Sequence, residues 1–238
     1  MSETILFASG KGGVGKSTLC LHLAASLARR ARRVLVVEAC CGFRSLDTVL
    51  GLPGDTVYEL SDALEGRCSL GEAIRAHEES GLRLMLAPGS PDYLPEEEKL
   101  EAFFHWGRKA WDFLLIDCAP GFSPFTRLLA RRCGRAVLVT APEEASARCT
   151  GRLSAFLAQE GLLEQRLVIY RMPREFAPTP SLRDLDDVID LAGARLLGVV
   201  PEQPLLPPPG DCPPEGPAGQ ALEAIARRLL GERVPLTL

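Results

Sequence analysis

Gly10-Lys11-Gly12-Gly13-Val14-Gly15-Lys16-Ser17-Thr18 decides how the rest of this chain is read. The stretch fits Gly, any four residues, Gly, Lys and then Ser or Thr, the spacing of a loop that cradles phosphates. A triphosphate needs many donors converging on it, so backbone N–H groups must come close. Glycine permits both the approach and the unusual dihedrals of such a loop. Lys16 supplies a point charge for the outer phosphates, and the Ser17 hydroxyl is a ligand for Mg²⁺. A following helix would aim its positive end at the same spot.

Working outward, the apolar run Thr4-Ile5-Leu6-Phe7-Ala8 predicts a strand before the loop. Leu19, Leu21, Leu23, Ala24 and Leu27 predict a helix after it, ending near Arg30. Strand, glycine loop and helix is the context the motif requires.

At 238 residues the chain can bury one sizeable core, and residues 1–238 are expected to form one domain. Its 46% hydrophobic and 24% charged content is ordinary for a soluble protein. A net charge of -4 leaves no basic footprint, so no nucleic acid is expected as a partner. No run of about 18 apolar residues occurs, so no membrane span is predicted. The N-terminus enters a strand at once, which argues against a signal peptide. The expected location is the cytoplasm, where the 8 cysteines are free thiols by default.

Further along, apolar strand-like runs alternate with amphipathic stretches. Strands are predicted at 33–38, 82–87, 111–117, 136–140, 167–170 and 196–200. Helices are predicted at 44–50, 57–64 with Thr56 as cap, 70–76, and from Pro95 through Ala110. Further helices are expected from Ser123 to Gly134, at 144–160, at 181–191 and at 220–230. The proline-rich residues 201–217 read as a surface loop. The alternation predicts an α/β fold: three layers, with a doubly wound, mostly parallel sheet covered by helices on both faces. Asp117 ends an apolar strand, where a carboxylate can hold the Mg²⁺ shell through a water molecule.

Lys11 adds a second signal. A phosphate loop needs only Lys16, and the form Lys-Gly-Gly-Val-Gly-Lys-Ser-Thr with an early lysine resembles the deviant Walker A ATPases, the MinD, ParA, Mrp and nitrogenase iron-protein family. The likeness continues in Gly42-Phe43-Arg44-Ser45-Leu46-Asp47, Val57-Tyr58-Glu59-Leu60, Ala141-Pro142-Glu143, Gly198-Val199-Val200-Pro201-Glu202 and Gly231-Glu232-Arg233-Val234-Pro235. These stretches resemble the MinD branch, in order and over almost the whole chain. The resemblance implies ATP and Mg²⁺ as ligands and a homodimer in the ATP state, with Lys11 reaching the partner's nucleotide. It also implies a role in division-site selection and partners similar to MinC and MinE. It adds Arg171, Pro201 and Glu202 to the nucleotide contacts made by residues 10–18.

The departures carry their own expectations. Where the family has Asp-x-Asp after its second strand, this chain has Glu38 and Cys40. The second aspartate is the family's water-positioning group, and a thiol is a weak acceptor. Lys11, Lys16 and Cys40 are therefore the candidate catalytic residues, Cys40 as a degenerate position, and slow turnover is expected. A non-hydrolysing ATP-binding scaffold is one alternative. A metal-trafficking ATPase using Cys40, Cys41 and Cys118 is another. The family's Asn-Arg pair near the base reads Tyr170-Arg171, and Cys149 stands where an Asp is frequent. His22, His77 and His105, placed on predicted helices, read as structural or solvated. The ending Pro235-Leu236-Thr237-Leu238 lacks the family's basic amphipathic helix, so no autonomous membrane anchor is expected.

Overall fold

A computed structural model describes residues 2–42, 45–52, 57–204, 206–210 and 212–236. The strands are β1 (Glu3–Ala8), β2 (Val34–Ala39), β3 (Ile74–His77), β4 (Leu82–Met85), β5 (Phe113–Cys118), β6 (Arg135–Thr140), β7 (Gln165–Met172) and β8 (Arg195–Pro201). The helices are α1 (Lys16–Arg29), α2 (Leu46–Leu50), α3 (Leu60–Leu64), α4 (Glu97–Ala110), α5 (Pro124–Ala130), α6 (Glu144–Gln159), α7 (Leu185–Ala192) and α8 (Gly216–Leu229). One sheet runs β3-β4-β2-β5-β1-β6-β7-β8, parallel at every pairing except the antiparallel β3–β4 edge.

The period-two alternation of a strand sends successive side chains to opposite faces. In β1, Ile5 and Phe7 pack with α1 and α8 residues such as Leu23 and Ile225. Leu6 and Ala8 pack on the other face, with Phe104 of α4 and Leu153 of α6. Two apolar cores therefore lie on the two sides of one sheet, as the near-continuous apolar runs of the central strands demand. The chain leaves β1 toward β2 on one side and leaves β6 toward β7 on the other. The carboxyl ends of these strands meet at such a switch point, where open α/β sheets bind ligands.

Several predicted elements need correction. Residues 70–76 do not form a helix. Ser69 and Glu72 exchange side-chain bonds to each other's N–H, and Ala73 N–H reaches the Ser69 carbonyl, so one helical turn closes. The chain then extends as β3, because Ile74 to His77 pair antiparallel with Met85 to Leu82. His77 accordingly ends a strand, its Nδ1 2.6 Å from Ser80 Oγ. The expected helix at 57–64 begins only at Leu60, since Glu59 and Asp62 form a reciprocal cap; Thr56 lies outside the described residues. Asp184 caps α7 by accepting from Asp187 N–H, which moves that helix start past Ser181. Helix α8 starts earlier than expected, with Pro217 in its first turn, where a missing N–H costs nothing. Phe43 and Arg44, two residues of the resemblance, lie outside the described residues. Among the described residues, no helix is long and apolar enough to cross a membrane.

Candidate functional site

The phosphate loop joins β1 to α1. Gly15, with φ 90°, is the residue before the helix and makes no side-chain cap, so the first-turn N–H groups stay available to an anion. The loop is held from two sides. A Cβ on Gly10 would lie 2.3 Å from the carbonyl carbon of Cys149 in α6, so only glycine allows that approach. A Cβ on Gly15 would lie 2.4 Å from a ring carbon of Tyr170 in β7.

Lys16 is buried, and its ammonium pairs with Asp117 of β5, itself wholly buried. Burial is the largest single influence and lowers the lysine's pKa; the Asp117 carboxylate, with Cys118 and Cys40 adding to it, raises it, and the net shift is upward. The other oxygen of Asp117, Oδ2, is buried with no hydrogen-bond partner among the described residues. A buried carboxylate oxygen left bare is costly, and it suits a cation or its water shell placed against Ser17, at the second position of α1. The residues present therefore fit Mg²⁺. Bound there, the ion would neutralise charge on phosphate oxygens.

Lys11 is half-exposed and forms an ion pair with Glu143 at 3.3 Å. An exposed pair of this kind is worth about 0–1 kcal/mol, so Lys11 is easily released. Two cavities flank the loop. One, of about 360 Å³, lies among Lys11, Gly13, Pro142, Glu143 and Arg171. The other, of about 300 Å³, lies among Thr18, Tyr170, Arg171, Pro201 and Glu202, and has room for a nucleotide base. The predicted residues Arg171 and Glu202 line both. Arg171 Nη1 donates to the Gly13 carbonyl at 3.4 Å.

The two departures at the end of β2, Glu38 and Cys40, sit in different surroundings. Glu38 is wholly buried and accepts from Ser45 N–H at 2.6 Å, Ser45 Oγ at 2.9 Å, Leu46 N–H at 3.1 Å and Ala87 N–H at 3.2 Å. Burial pushes its carboxyl up from the usual range while these donors pull it back down; the net shift is upward. Cys40 is half-buried. Burial raises its thiol pKa, Lys16 lowers it, and Asp117 and Glu38 raise it again, so the net shift is upward and the group is a neutral thiol at pH 7.

The three thiols at the strand ends do not gather. Cys118 is buried, its Sγ 3.2 Å from the Phe7 carbonyl, with a pKa pushed by burial to about 12. Cys41 donates to the Tyr93 carbonyl at 3.6 Å. Among the described residues, no group of three or more His, Cys, Asp or Glu side chains is placed to hold a metal ion. Sequence reasoning missed Glu143 as the partner of Lys11 and Tyr170 as a wall of the loop. The first pair is 132 residues apart, and no local signal connects them.

Residues 5–207 match the family model for the CobQ/CobB/MinD/ParA nucleotide binding domain. The septum site-determining protein MinD of Bacillus subtilis (strain 168) is 32% identical over 246 residues, covering 99% of this chain and 92% of that protein. Its counterpart in Synechocystis is 28% identical, with the same coverage of 99% and 92%. Among solved structures, the MinC:MinD cell division protein complex of Aquifex aeolicus superposes with a TM-score of 0.85 at 29% identity, covering 100% of this chain and 99% of that one. MinD of Pyrococcus horikoshii OT3, complexed with Mg-ADP, gives 0.81 at 26% identity, covering 96% of each chain. The chain belongs to the CobQ/CobB/MinD/ParA nucleotide-binding family of P-loop ATPases and stands with its septum site-determining MinD members.

Proposed function

We propose that this chain is an ATP-operated switch in division-site selection. Residues 10–18 hold the phosphates of Mg·ATP, Ser17 and Asp117 face the Mg²⁺, and the cavity beside Tyr170 and Pro201 receives the base. The observation that carries this reading is the buried Lys16–Asp117 pair with one carboxylate oxygen left unsatisfied beside a glycine-walled loop. When a triphosphate arrives, Lys16 exchanges Asp117 for phosphate oxygens, and Asp117 is freed toward the cation site. Lys11 leaves Glu143 and reaches the nucleotide of a second copy, so that ATP joins two subunits. The dimer then recruits a partner protein; the Aquifex relative, solved as a MinC:MinD complex, supports a MinC-like partner.

Turnover is slow in this reading. A neutral thiol at Cys40 is a poor acceptor for the proton of an attacking water, and Glu38 is fully engaged by backbone donors. The same two observations favour a second reading, in which ATP is a structural clamp that is never hydrolysed. Phosphate release measured alongside size-exclusion in ADP and in ATP separates them. The switch gives an ATP-dependent dimer that decays as phosphate appears, and the clamp gives a dimer that persists without phosphate. A chain that stays monomeric in Mg·ATP contradicts both.

A further inference from the structure

Consecutive residues of a regular strand point to opposite faces. Tyr170 and Arg171 are consecutive in β7, yet both reach the phosphate loop. The Tyr170 ring edge lies against Gly15, close enough to exclude a Cβ there. The Arg171 guanidinium donates to the Gly13 carbonyl.

The pairing with β8 explains how. Tyr170 pairs with Val200 and Met172 with Pro201, which leaves Arg171 as the extra residue of a β-bulge. Its φ is 61°, in the left-handed region that a side chain seldom adopts. The Met172 carbonyl accepts from Glu202 N–H at 2.7 Å just beyond the bulge, pinning the strand after its turn. A bulge re-aims a side chain, and strained backbone of this kind persists where the surroundings require it.

We propose that Tyr170 and Arg171 are positioning residues for the phosphate loop: the bulge turns both toward Gly13–Gly15 and holds that segment in its phosphate-ready shape. Arg171 thus acts on the loop and through it on the phosphates, not by reading the base. The inference rests on the assignment of residues 10–18 as a triphosphate site. It predicts that a ligand with phosphates and no base feels the loss of either residue as strongly as ATP does.

Calorimetry with Mg·ATP and with Mg·tripolyphosphate on the full chain tests this, alongside thermal midpoints. Arg171→Gly removes the donor while relaxing the left-handed backbone, so its midpoint stays level or rises. Both ligands should weaken by a common factor of about three- to tenfold, the worth of one hydrogen bond. Arg171→Lys, which keeps a donor, recovers part of that, and Tyr170→Leu weakens both ligands together. An Arg171→Gly variant that loses affinity for ATP alone overturns the proposal in favour of a base contact. Unchanged affinity for both ligands overturns it as well, and so does a midpoint that falls in step with the affinity. Wild-type protein that binds neither ligand overturns the triphosphate assignment itself.

Discussion

Glu38 and Asp117 are register partners on the neighbouring strands β2 and β5, and both carboxylates are wholly buried. They are used in opposite ways. Asp117 gives one oxygen to Lys16 and keeps the other bare. Glu38 gives Oε1 to Ser45 and Leu46 and Oε2 to Ala87, which ties the start of α2 to the end of β4. A buried acid with an empty oxygen is available to a cation, whereas one saturated by backbone donors holds the fold. Position at a strand end does not separate the two; the count of donors does.

The largest expected effect comes from breaking the saturated acid. Glu38→Ala orphans three N–H groups and a hydroxyl and should cost about 3–5 kcal/mol, read as a shift in urea midpoint. Glu38→Gln, which keeps an acceptor oxygen, should lose less. A loss under about 1 kcal/mol for Glu38→Ala would contradict the structural role given to this acid. Asp117→Asn sharpens the other half of the comparison: nucleotide binding should no longer respond to Mg²⁺. Titrations with and without a chelator check it, and an intact Mg²⁺ response would remove Asp117 from the cation site.

His22 of α1 offers a buried titratable group of a different kind. Burial chiefly, and Arg29 next, lower its pKa to about 4, offset in part by a hydrogen bond to the Pro207 backbone. The folded protein therefore resists protonation that the unfolded chain accepts from pH 6.5 downward. The stability held at neutral pH is lost as pH falls from about 6.5 to about 4, by ~3 kcal/mol. Stability curves of wild type and His22→Leu should diverge across that window and run parallel above it. Parallel curves throughout would show that His22 is protonated at no cost.

The smallest of these effects in free energy concerns Cys40. Cys40→Asp should raise the rate of phosphate release on the order of a hundredfold, about 2.7 kcal/mol of barrier. An unchanged rate would show that this position does not govern the attacking water.

Much of this arrangement was legible in the chain. The loop, the strand before it and the strand carrying Asp117 next to its last residue are each set by contiguous residues, and their apolar runs are long enough to name. What escaped depends on partners distant in sequence. Leu70, Ala73 and Ile74 have helical spacing, but pairing with β4 draws Ile74 into a strand. Glu38 reads only as a departure from the family pattern, and its structural part depends on Ala87, 49 residues on, donating to it. The bulge at Arg171 exists only in register with β8, which local pattern does not encode. Helix starts moved for a smaller reason: the reciprocal bonds of Glu59 and Asp62, and the Asp184 side chain accepting from Asp187 N–H, set the first turns of α3 and α7.

The central claim is that residues 10–18, with Lys16 and Asp117, form a site for magnesium-bound triphosphate. Calorimetry of Mg·ATP against wild type and Lys16→Ala tests it most directly. The account predicts saturable heat with one site per chain for wild type, and affinity at least about a hundredfold weaker for Lys16→Ala, the loss of a buried charge-assisted contact. No heat with folded wild type, or equal affinity in the two proteins, would contradict it.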